Sequence, residues 1–452
     1  MTIYALSTAP GRAGIAVIRI SGRAARNALH ALCRARFPAS RVASFRRLRH
    51  PHTGEVLDEA VVLWLPGPAS FTGEDMVELH VHGGRAVVAS VLEALASLGL
   101  RLAEPGEFTM RAFGNGKIDL TEAEGLADLI NAETAYQRRQ AIAQHCGALR
   151  GHYELWRVTL LGAMAYVEAS LDFSDESDIA ESAFNEAIPQ VRKLVADLDR
   201  VLADGRRGEI VREGIQVAIV GAPNAGKSSL LNALAGREAA IVFHEPGTTR
   251  DVIEVALDLD GFPFVLRDTA GLRETESPVE REGIRRALAS AKEADIVLLV
   301  YDATAVSARS TGLPGEESWC AGSQVEASKT FTVINKIDLA RPDLSRWPQE
   351  TLLISAKTGD GLDVLKTALV RFAVESFGGS ETPLITRARH RQEIERARSA
   401  LNQFLASADI GDHPEIAAEH LRETGDALGR LTGRLDVEDV LGQIFSEFCI
   451  GK

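Results

Sequence analysis

A chain of 452 residues with 45% hydrophobic and 25% charged residues has the make-up of a multidomain globular protein, with ample material for buried cores. A net charge of −13 speaks against a protein coated with nucleic acid, and Cys33, Cys146, Cys320 and Cys449 form no C-x-x-C pair, which sets aside a zinc site or disulfide framework. No apolar run approaches the roughly 18 residues of a membrane span, and Met1-Thr2-Ile3-Tyr4 lacks a signal-peptide layout, so a cytoplasmic protein is expected.

Residues 1–117 read as a small α+β domain. Strand-like runs at 15–20, 61–65 and 77–82 alternate with helical patterns at 23–33 and 84–98. Charge is uneven: residues 1–50 carry ten Arg and no Asp or Glu, which leaves −23 for the rest. That basic end suits a local anionic partner, such as RNA or a carboxylate-bearing small molecule. The alternative for Arg34, Arg36, Arg41, Arg46, Arg47 and Arg49 is a solvated arginine face. Arg19 inside an apolar strand, Glu78 on another and Lys117 after Asn115-Gly116 stand out, but spacing alone assigns them no site.

Residues 118–208 are almost continuously helical in pattern, with Ile188, Val191, Leu194, Val195, Leu198, Val201 and Leu202 along one apolar stripe. Helical patterns return over 378–452, where Ile394, Ala397, Leu401, Phe404 and Leu405 form one stripe and Leu435, Val440, Leu441, Ile444 and Phe445 another. A tail of that length holds a core poorly by itself. The economical arrangement is an all-α helical bundle made from both segments, with residues 209–377 inserted as an α/β domain. Two separate helical domains are the alternative. Residues 305–328 look like loop.

The inserted segment carries the clearest chemistry. The apolar run 215–220 leads into Gly221-Ala222-Pro223-Asn224-Ala225-Gly226-Lys227-Ser228, then Ser229 and a helical pattern. Strand, glycine loop and helix start make a phosphate cradle, because loop N–H groups and a helix N-terminus both favour anions. Lys227 can reach the β- and γ-phosphates, and the Ser228 hydroxyl can serve Mg²⁺. Asp268-Thr269-Ala270-Gly271 closes a second strand run, placing a carboxylate near the metal shell and a glycine N–H near the γ-phosphate. Asn335-Lys336-Ile337-Asp338 and Ser355-Ala356-Lys357 each follow another strand run. A carboxylate such as Asp338 can accept two hydrogen bonds from guanine that adenine lacks, a discrimination of roughly 10⁴ or more. In this order the motifs read as a P-loop GTPase domain.

Between the phosphate loop and Asp268 lies Phe243-His244-Glu245-Pro246-Gly247-Thr248-Thr249-Arg250-Asp251, where Thr249 is the candidate second hydroxyl for Mg²⁺. After Gly271 stands Leu272, which cannot orient a water as Gln does in small GTPases. Either the domain is a binding switch that hardly hydrolyses, or water is held elsewhere, with Glu274, Glu276, Glu280 and Glu282 as candidates.

Further stretches carry a family resemblance: Pro10-Gly11-Arg12-Ala13-Gly14 leading to Arg19-Ile20-Ser21-Gly22, Phe71-Thr72-Gly73-Glu74-Asp75, Pro105-Gly106-Glu107-Phe108-Thr109, Asn115-Gly116-Lys117, the phosphate loop with Asn224, Gly247-Thr248-Thr249-Arg250-Asp251 and Cys449-Ile450-Gly451-Lys452. Over essentially its whole length the chain resembles the MnmE (TrmE) family of tRNA-modification GTPases. The resemblance implies a homodimer through the N-terminal domains, which bind 5-formyltetrahydrofolate through Arg19, Glu78, Lys117 and Lys452. It implies a flavoprotein partner, MnmG (GidA), and addition of an aminomethyl or carboxymethylaminomethyl group at C5 of the wobble uridine of certain tRNAs. It also implies K⁺ held by Asn224, Phe243, Glu245 and Thr248, and Glu280 as the group orienting water. The wording Phe243-His244-Glu245-Pro246 departs from the family's usual form, and Pro246 stiffens that loop. The rival reading is a GTP-dependent RNA-binding or ribosome-assembly factor without modification chemistry.

Cys449 has two readings. Beside Phe448 and Ile450 it suits a small buried hydrophobe. If Lys452 reaches the folate, the same tail brings the sulfur to the one-carbon unit, where a thiolate could act as a nucleophile or move a proton.

Overall fold

The computed structural model describes residues 1–34, 37–173, 176–237, 241–242, 254–268, 291–308, 329–379, 382–410, 414–435, 441–442, 444–445, 448 and 450–451. The chain divides into two compact units: residues 1–127, 144–198 and 392–452 in one, and 128–143 and 199–391 in the other. No helix among the described residues is long and apolar enough to cross a membrane.

The first unit contains a six-stranded sheet of β1 (Ile3–Leu6), β2 (Ala13–Ser21), β3 (Ser44–Arg49), β4 (Val56–Leu65), β5 (Met76–Gly83) and β6 (Arg101–Leu102), in the order β3-β4-β5-β2-β1-β6. All pairings are antiparallel except β1 with β6. Alternation along the strands decides which face is covered. Ile18, Ile20, Val62, Leu79 and Val81 are buried under helices Ala25–Cys33 and Arg85–Ser97, whose Leu29, Leu32, Val91 and Leu95 complete that core. On the opposite face Ile3, Ala5, Met76, Ala103 and Phe108 form a smaller cluster. Arg19 and Glu78 lie on this second face.

The arginine-rich start takes local partners. Arg46, Arg47 and Arg49 lie on the edge strand β3, where Arg47 pairs with Glu59 and Arg49 donates to the Gly54 carbonyl. Arg34 and Arg41 donate to the carbonyls of Pro51 and Ala69. Arg34, Arg41 and Arg47 are exposed and Arg46 and Arg49 half-buried, while Arg36 lies outside the described residues.

The helical part of this unit contains Ala148–Asp172, most of Ser177–Leu202, most of Ala388–Ile410 and Pro414–Thr432. Segments on either side of the inserted domain thus share one unit. Ala187, Val191, Leu194 and Leu198 are buried at helical spacing, as are Ile394, Ala397, Leu401 and Phe404. Ile444, Phe445 and Phe448 bury against Leu120, Ala123 and Ala127, while Leu435 is exposed.

The second unit holds a seven-stranded sheet: β7 (Ile215–Gly221), β8 (Ile241–Val242), β9 (Glu254–Leu259), β10 (Phe262–Asp268), β11 (Ile296–Asp302), β12 (Lys329–Asn335) and β13 (Leu352–Leu353), in the order β13-β12-β11-β7-β10-β9-β8. β7, β10, β11, β12 and β13 are mutually parallel. Apolar side chains run along these strands because helices such as Lys227–Arg237 and Leu362–Phe377 supply Leu230, Leu234, Leu365 and Leu369 to the same core. Tyr136, from the helix Ala135–His145, stacks on Phe262 with ring centroids 3.8 Å apart. The loop expected over 305–328 starts later than its first residues: Ala303–Ala308 is helical, begun by Thr304 donating its N–H to Asp302 at 2.8 Å.

Candidate functional site

Parallel strands send their C-terminal ends to one edge, where an open α/β sheet binds ligands. Gly221, Asp268, Asp302 and Asn335 end β7, β10, β11 and β12, and the chain leaving β13 reaches Ser355. Ile219 pairs with Asp268, Val300 with Gly221 and Asp302 with Asn335, so neighbouring motifs stand level.

The phosphate loop turns through two left-handed residues, Asn224 at φ +61° and Gly226 at φ +90°. A Cβ on Gly226 would sit 2.3 Å from Asn335 Nδ2, so only glycine fits this turn. Lys227 opens the following helix and is buried; its Nζ donates to the carbonyls of Gly221 at 3.0 Å and Ala222 at 2.9 Å. Ala225 is buried, whereas Ser228 and Ser229 are exposed at the helix start. A glycine-shaped turn, a helix N-terminus and a lysine over the loop fit a polyphosphate.

The Asn335-Lys336-Ile337-Asp338 and Ser355-Ala356-Lys357 stretches close onto this loop. Buried Asn335 donates from Nδ2 to the Ala225 carbonyl at 3.0 Å, and its Oδ1 accepts the N–H groups of Lys336 at 2.8 Å and Ala356 at 3.0 Å. Lys336 Nζ donates to the Asn224 carbonyl at 2.6 Å. The Ser355 hydroxyl donates to Asp338 Oδ1 at 2.7 Å, orienting a carboxylate on an otherwise exposed residue. Lys357 is exposed beside it. The structure therefore brings Asn224 to Ser229, Asn335, Lys336, Asp338, Ser355, Ala356 and Lys357 together. Asp268 is placed at the same edge by its strand. Phe243, His244, Glu245, Pro246, Gly247, Thr248, Thr249, Thr269, Ala270, Gly271, Leu272 and Glu280 lie outside the described residues.

Sequence reading overlooks Asp302, which ends an apolar strand without a motif. Its Oδ2 receives Lys336 Nζ at 2.7 Å. Burial pushes its carboxyl up, but hydrogen bonds from Lys336 and Thr304 outweigh that and hold it below the usual carboxylate range.

In the first unit Arg19 and Glu78 are cross-strand partners, joined Nε to Oε1 at 2.9 Å, and Glu78 Oε2 lies 3.3 Å from His80 Nε2. All three are half-buried on the face away from the main core. Two residues along β2, the Ser21 hydroxyl lies 2.8 Å from that of Thr72 and donates to Glu74 at 2.7 Å. Asn115 donates to the Thr72 carbonyl at 2.7 Å, and a Cβ on Gly73 would meet the Lys117 stem at 3.3 Å. Lys117 is exposed, with its stem against the Gly73 turn beside this face. Glu74 and Glu107, from two of the family-like stretches, serve the scaffold. Glu74 accepts from Arg111 at 2.9 Å, and buried Glu107 accepts from Arg111, Arg101 and the Glu104 N–H.

The C-terminal tail reaches the same domain. Ile450 bridges to Pro105, and the Gly451 carbonyl accepts from the Ser7 hydroxyl at 2.9 Å. Gly451 is left-handed at φ +95°, and a Cβ there would sit 2.3 Å from the Leu6 carbonyl. Cys449 and Lys452, on either side, lie outside the described residues.

Residues 2–117 match the family described as GTP-binding protein TrmE N-terminus, and residues 120–449 match the MnmE helical domain. A tRNA modification GTPase MnmE from Parvibaculum lavamentivorans is 51% identical over 452 residues, covering 100% of both chains. Its namesake from Paramagnetospirillum magneticum is 50% identical, covering 100% of this chain and 99% of that one. Among solved structures, the G domain of the T. maritima FeoB iron transporter is 26% identical, covers 35% of this chain and 98% of that one, and has a TM-score of 0.25. Full-length identity at this level, joined to two family matches that together span the chain, places it in one family: the chain belongs to the MnmE family of tRNA modification GTPases.

Proposed function

We propose that this chain hydrolyses GTP and couples hydrolysis to modification of the tRNA wobble uridine at C5, acting as a homodimer with the flavoprotein MnmG in the cytoplasm. The carrying observation is one hydrogen-bonded assembly in which Asn335 and Lys336 grip the phosphate loop while Ser355 orients Asp338. Such an assembly reads guanine and holds phosphates with the same few residues. The relatives' shared name, tRNA modification GTPase, supports the second half of the reading.

On this reading Lys227 and the loop N–H groups bind the phosphates, Asp338 selects the base, and Ser228 with Thr249 would hold Mg²⁺, which supplies charge neutralisation at the phosphates when bound. Asn224, Phe243, Glu245 and Thr248 would hold K⁺. Glu280 orients water in place of the glutamine that Leu272 replaces. Arg19, Glu78, Lys117 and Lys452 would bind 5-formyltetrahydrofolate or a related one-carbon folate, and Cys449 would act beside it. The corresponding division is folate-binding and dimerisation domain 1–117, helical parts 118–208 and 378–452, and GTPase domain 209–377.

The test is mass spectrometry of wobble nucleosides in tRNA from cells lacking this chain, beside cells complemented with it. Loss and recovery of the C5-substituted uridine is expected. Unchanged nucleosides with a persisting GTPase would turn the reading to a GTP-dependent RNA-binding or assembly factor.

A further inference from the structure

Asp302 lies outside every motif that defines the nucleotide site, yet it closes a chain of contacts running through that site. Oδ1 accepts the N–H of Thr304 at 2.8 Å and its hydroxyl at 2.7 Å, which fixes the plane of the carboxylate. Oδ2 then takes Lys336 Nζ at 2.7 Å, and the same ammonium caps the Asn224 carbonyl at 2.6 Å. Both residues tied by that ammonium are left-handed, Asn224 at φ +61° and Lys336 at φ +66°. Such backbone is costly for residues with a Cβ and persists where the surroundings over-determine it.

The physical problem is one of competing acceptors. An ammonium so close to a phosphate loop is drawn toward bound phosphates, and a lysine stem has enough freedom to follow. A carboxylate bonded to the same ammonium, itself locked by Thr304, supplies the counter-pull. Asp302 is ionised through neutral pH, because the hydrogen bonds that hold its carboxyl low outweigh its burial.

We propose that Asp302 is a positioning residue for guanine-nucleotide binding: it anchors Lys336 on the Asn224 carbonyl and so holds the phosphate loop in its binding shape. The proposal rests on the GTPase reading and adds to it a residue that acts only through Lys336. Asn224 gains its fixed carbonyl from this link, so the loop that follows β7 depends on a side chain at the end of the neighbouring strand β11.

The experiment is a double-mutant cycle on the full chain, read as the dissociation rate of N-methylanthraniloyl-GDP (mant-GDP). Asp302→Asn keeps the acceptor for Thr304 but turns an amide toward Lys336. Dissociation about ten-fold faster than in the parent is expected, the size of a coupling of about 1.4 kcal/mol. The double variant Asp302→Asn with Lys336→Met should then release mant-GDP no faster than Lys336→Met alone. Rates that multiply instead would overturn the proposal, since Asp302 would then act independently of Lys336. The unfolding midpoint of the nucleotide-free chain should stay level; a fall that accounts for the faster release would likewise reduce Asp302 to a structural role. Should Asp302→Asn fail to fold, Thr304→Val loosens the same carboxylate with both charges kept, and a two- to three-fold faster release that vanishes in the Lys336→Met background replaces the first arm. Failure of the parent to bind mant-GDP would sink the GTPase reading itself, whereas a binding parent with multiplying rates sinks only the role of Asp302.

Discussion

Asn335 reaches from the end of β12 to the Ala225 carbonyl at 3.0 Å, and its own carbonyl takes the Ala356 N–H at 3.0 Å. One buried amide therefore ties its own motif to two others, reaching residues 110 and 21 positions away. An amide can do this because it carries a donor and an acceptor on one rigid plane; a carboxylate or an ammonium would leave one partner unpaired. The glycine requirement at Gly226 follows from the same contact, since a Cβ there would occupy the space of Asn335 Nδ2.

On the proposed function, base choice rests on Asp338, whose Oδ1 is held by the Ser355 hydroxyl at 2.7 Å. Asp338→Asn should lower GTP affinity by roughly 10² or more and improve binding of xanthosine triphosphate, because the amide donates where the carboxylate only accepted. Titration with fluorescent analogues of both nucleotides reads this directly. Unaltered GTP affinity would remove Asp338 from the base site.

Arg19 should serve a ligand more than the fold. Its partner Glu78 keeps a contact with His80, so Arg19→Ala is expected to shift stability by no more than about 1 kcal/mol. Calorimetry with 5-formyltetrahydrofolate should show about ten-fold weaker binding, the loss of one charge-assisted contact, while GTP turnover persists. Arg47→Ala, which breaks the exposed pair with Glu59, is the control that should leave both unchanged. Equal folate affinity in the Arg19 variant would return that pair to a purely structural role.

Gly451 seats the tail. Its left-handed backbone and the 2.3 Å approach of any Cβ to the Leu6 carbonyl mean that Gly451→Ala must displace the residues beside it. We expect GTP turnover within a factor of two of the parent and a clear fall in wobble-uridine modification, measured on the same preparation. Cys449→Ser should give the same split without displacing the tail. Full modification by both variants would leave the C-terminus a packing element only.

Glu107 makes the N-terminal domain pH-sensitive. Burial pushes its carboxyl up, but the Glu104 N–H and the guanidinium groups of Arg111 and Arg101 overcome that and hold it below the ordinary value. A depressed folded-state value means stability that is present above the unfolded value, about pH 4.3, and lost as pH falls through the folded one. Urea unfolding of the parent should thus weaken below about pH 4, while Glu107→Gln loses about 2 kcal/mol at pH 7 and varies less over that window. Parallel pH profiles for the two proteins would assign the acid sensitivity to other carboxylates.

Much of the molecule is legible in the linear chain, and for identifiable reasons. A phosphate loop has few chemical solutions, so Gly226, Lys227 and Ser228 announce themselves between a strand and a helix, and Asn335, Asp338 and Ser355 do so by following strand runs in a set order. The apolar spacing of Val191, Leu194 and Leu198, and of Ile394, Ala397 and Leu401, marks buried helical faces because burial depends on period alone. Periodicity misses β1, β3 and β6 and the helix Glu107–Gly114, which are short or polar and take their form from neighbours.

Partnerships are where the linear reading stops. Nothing in the local sequence of Asp302 distinguishes it from any acid after a strand; only the register that sets β11 beside β12 brings it to Lys336. The pairing of Arg19 with Glu78 likewise exists because β2 and β5 are antiparallel neighbours with those two residues opposed. The sequence by itself determined the fold class, the family and the GTP-binding motifs, since each depends on residue type and spacing within a short window. Tertiary structure alone decided that Glu74 and Glu107 brace the scaffold, that the tail at Gly451 returns to Leu6 and Ser7, and that Asp302 meets Lys336, because those contacts join residues brought together only when strands and loops close on one another.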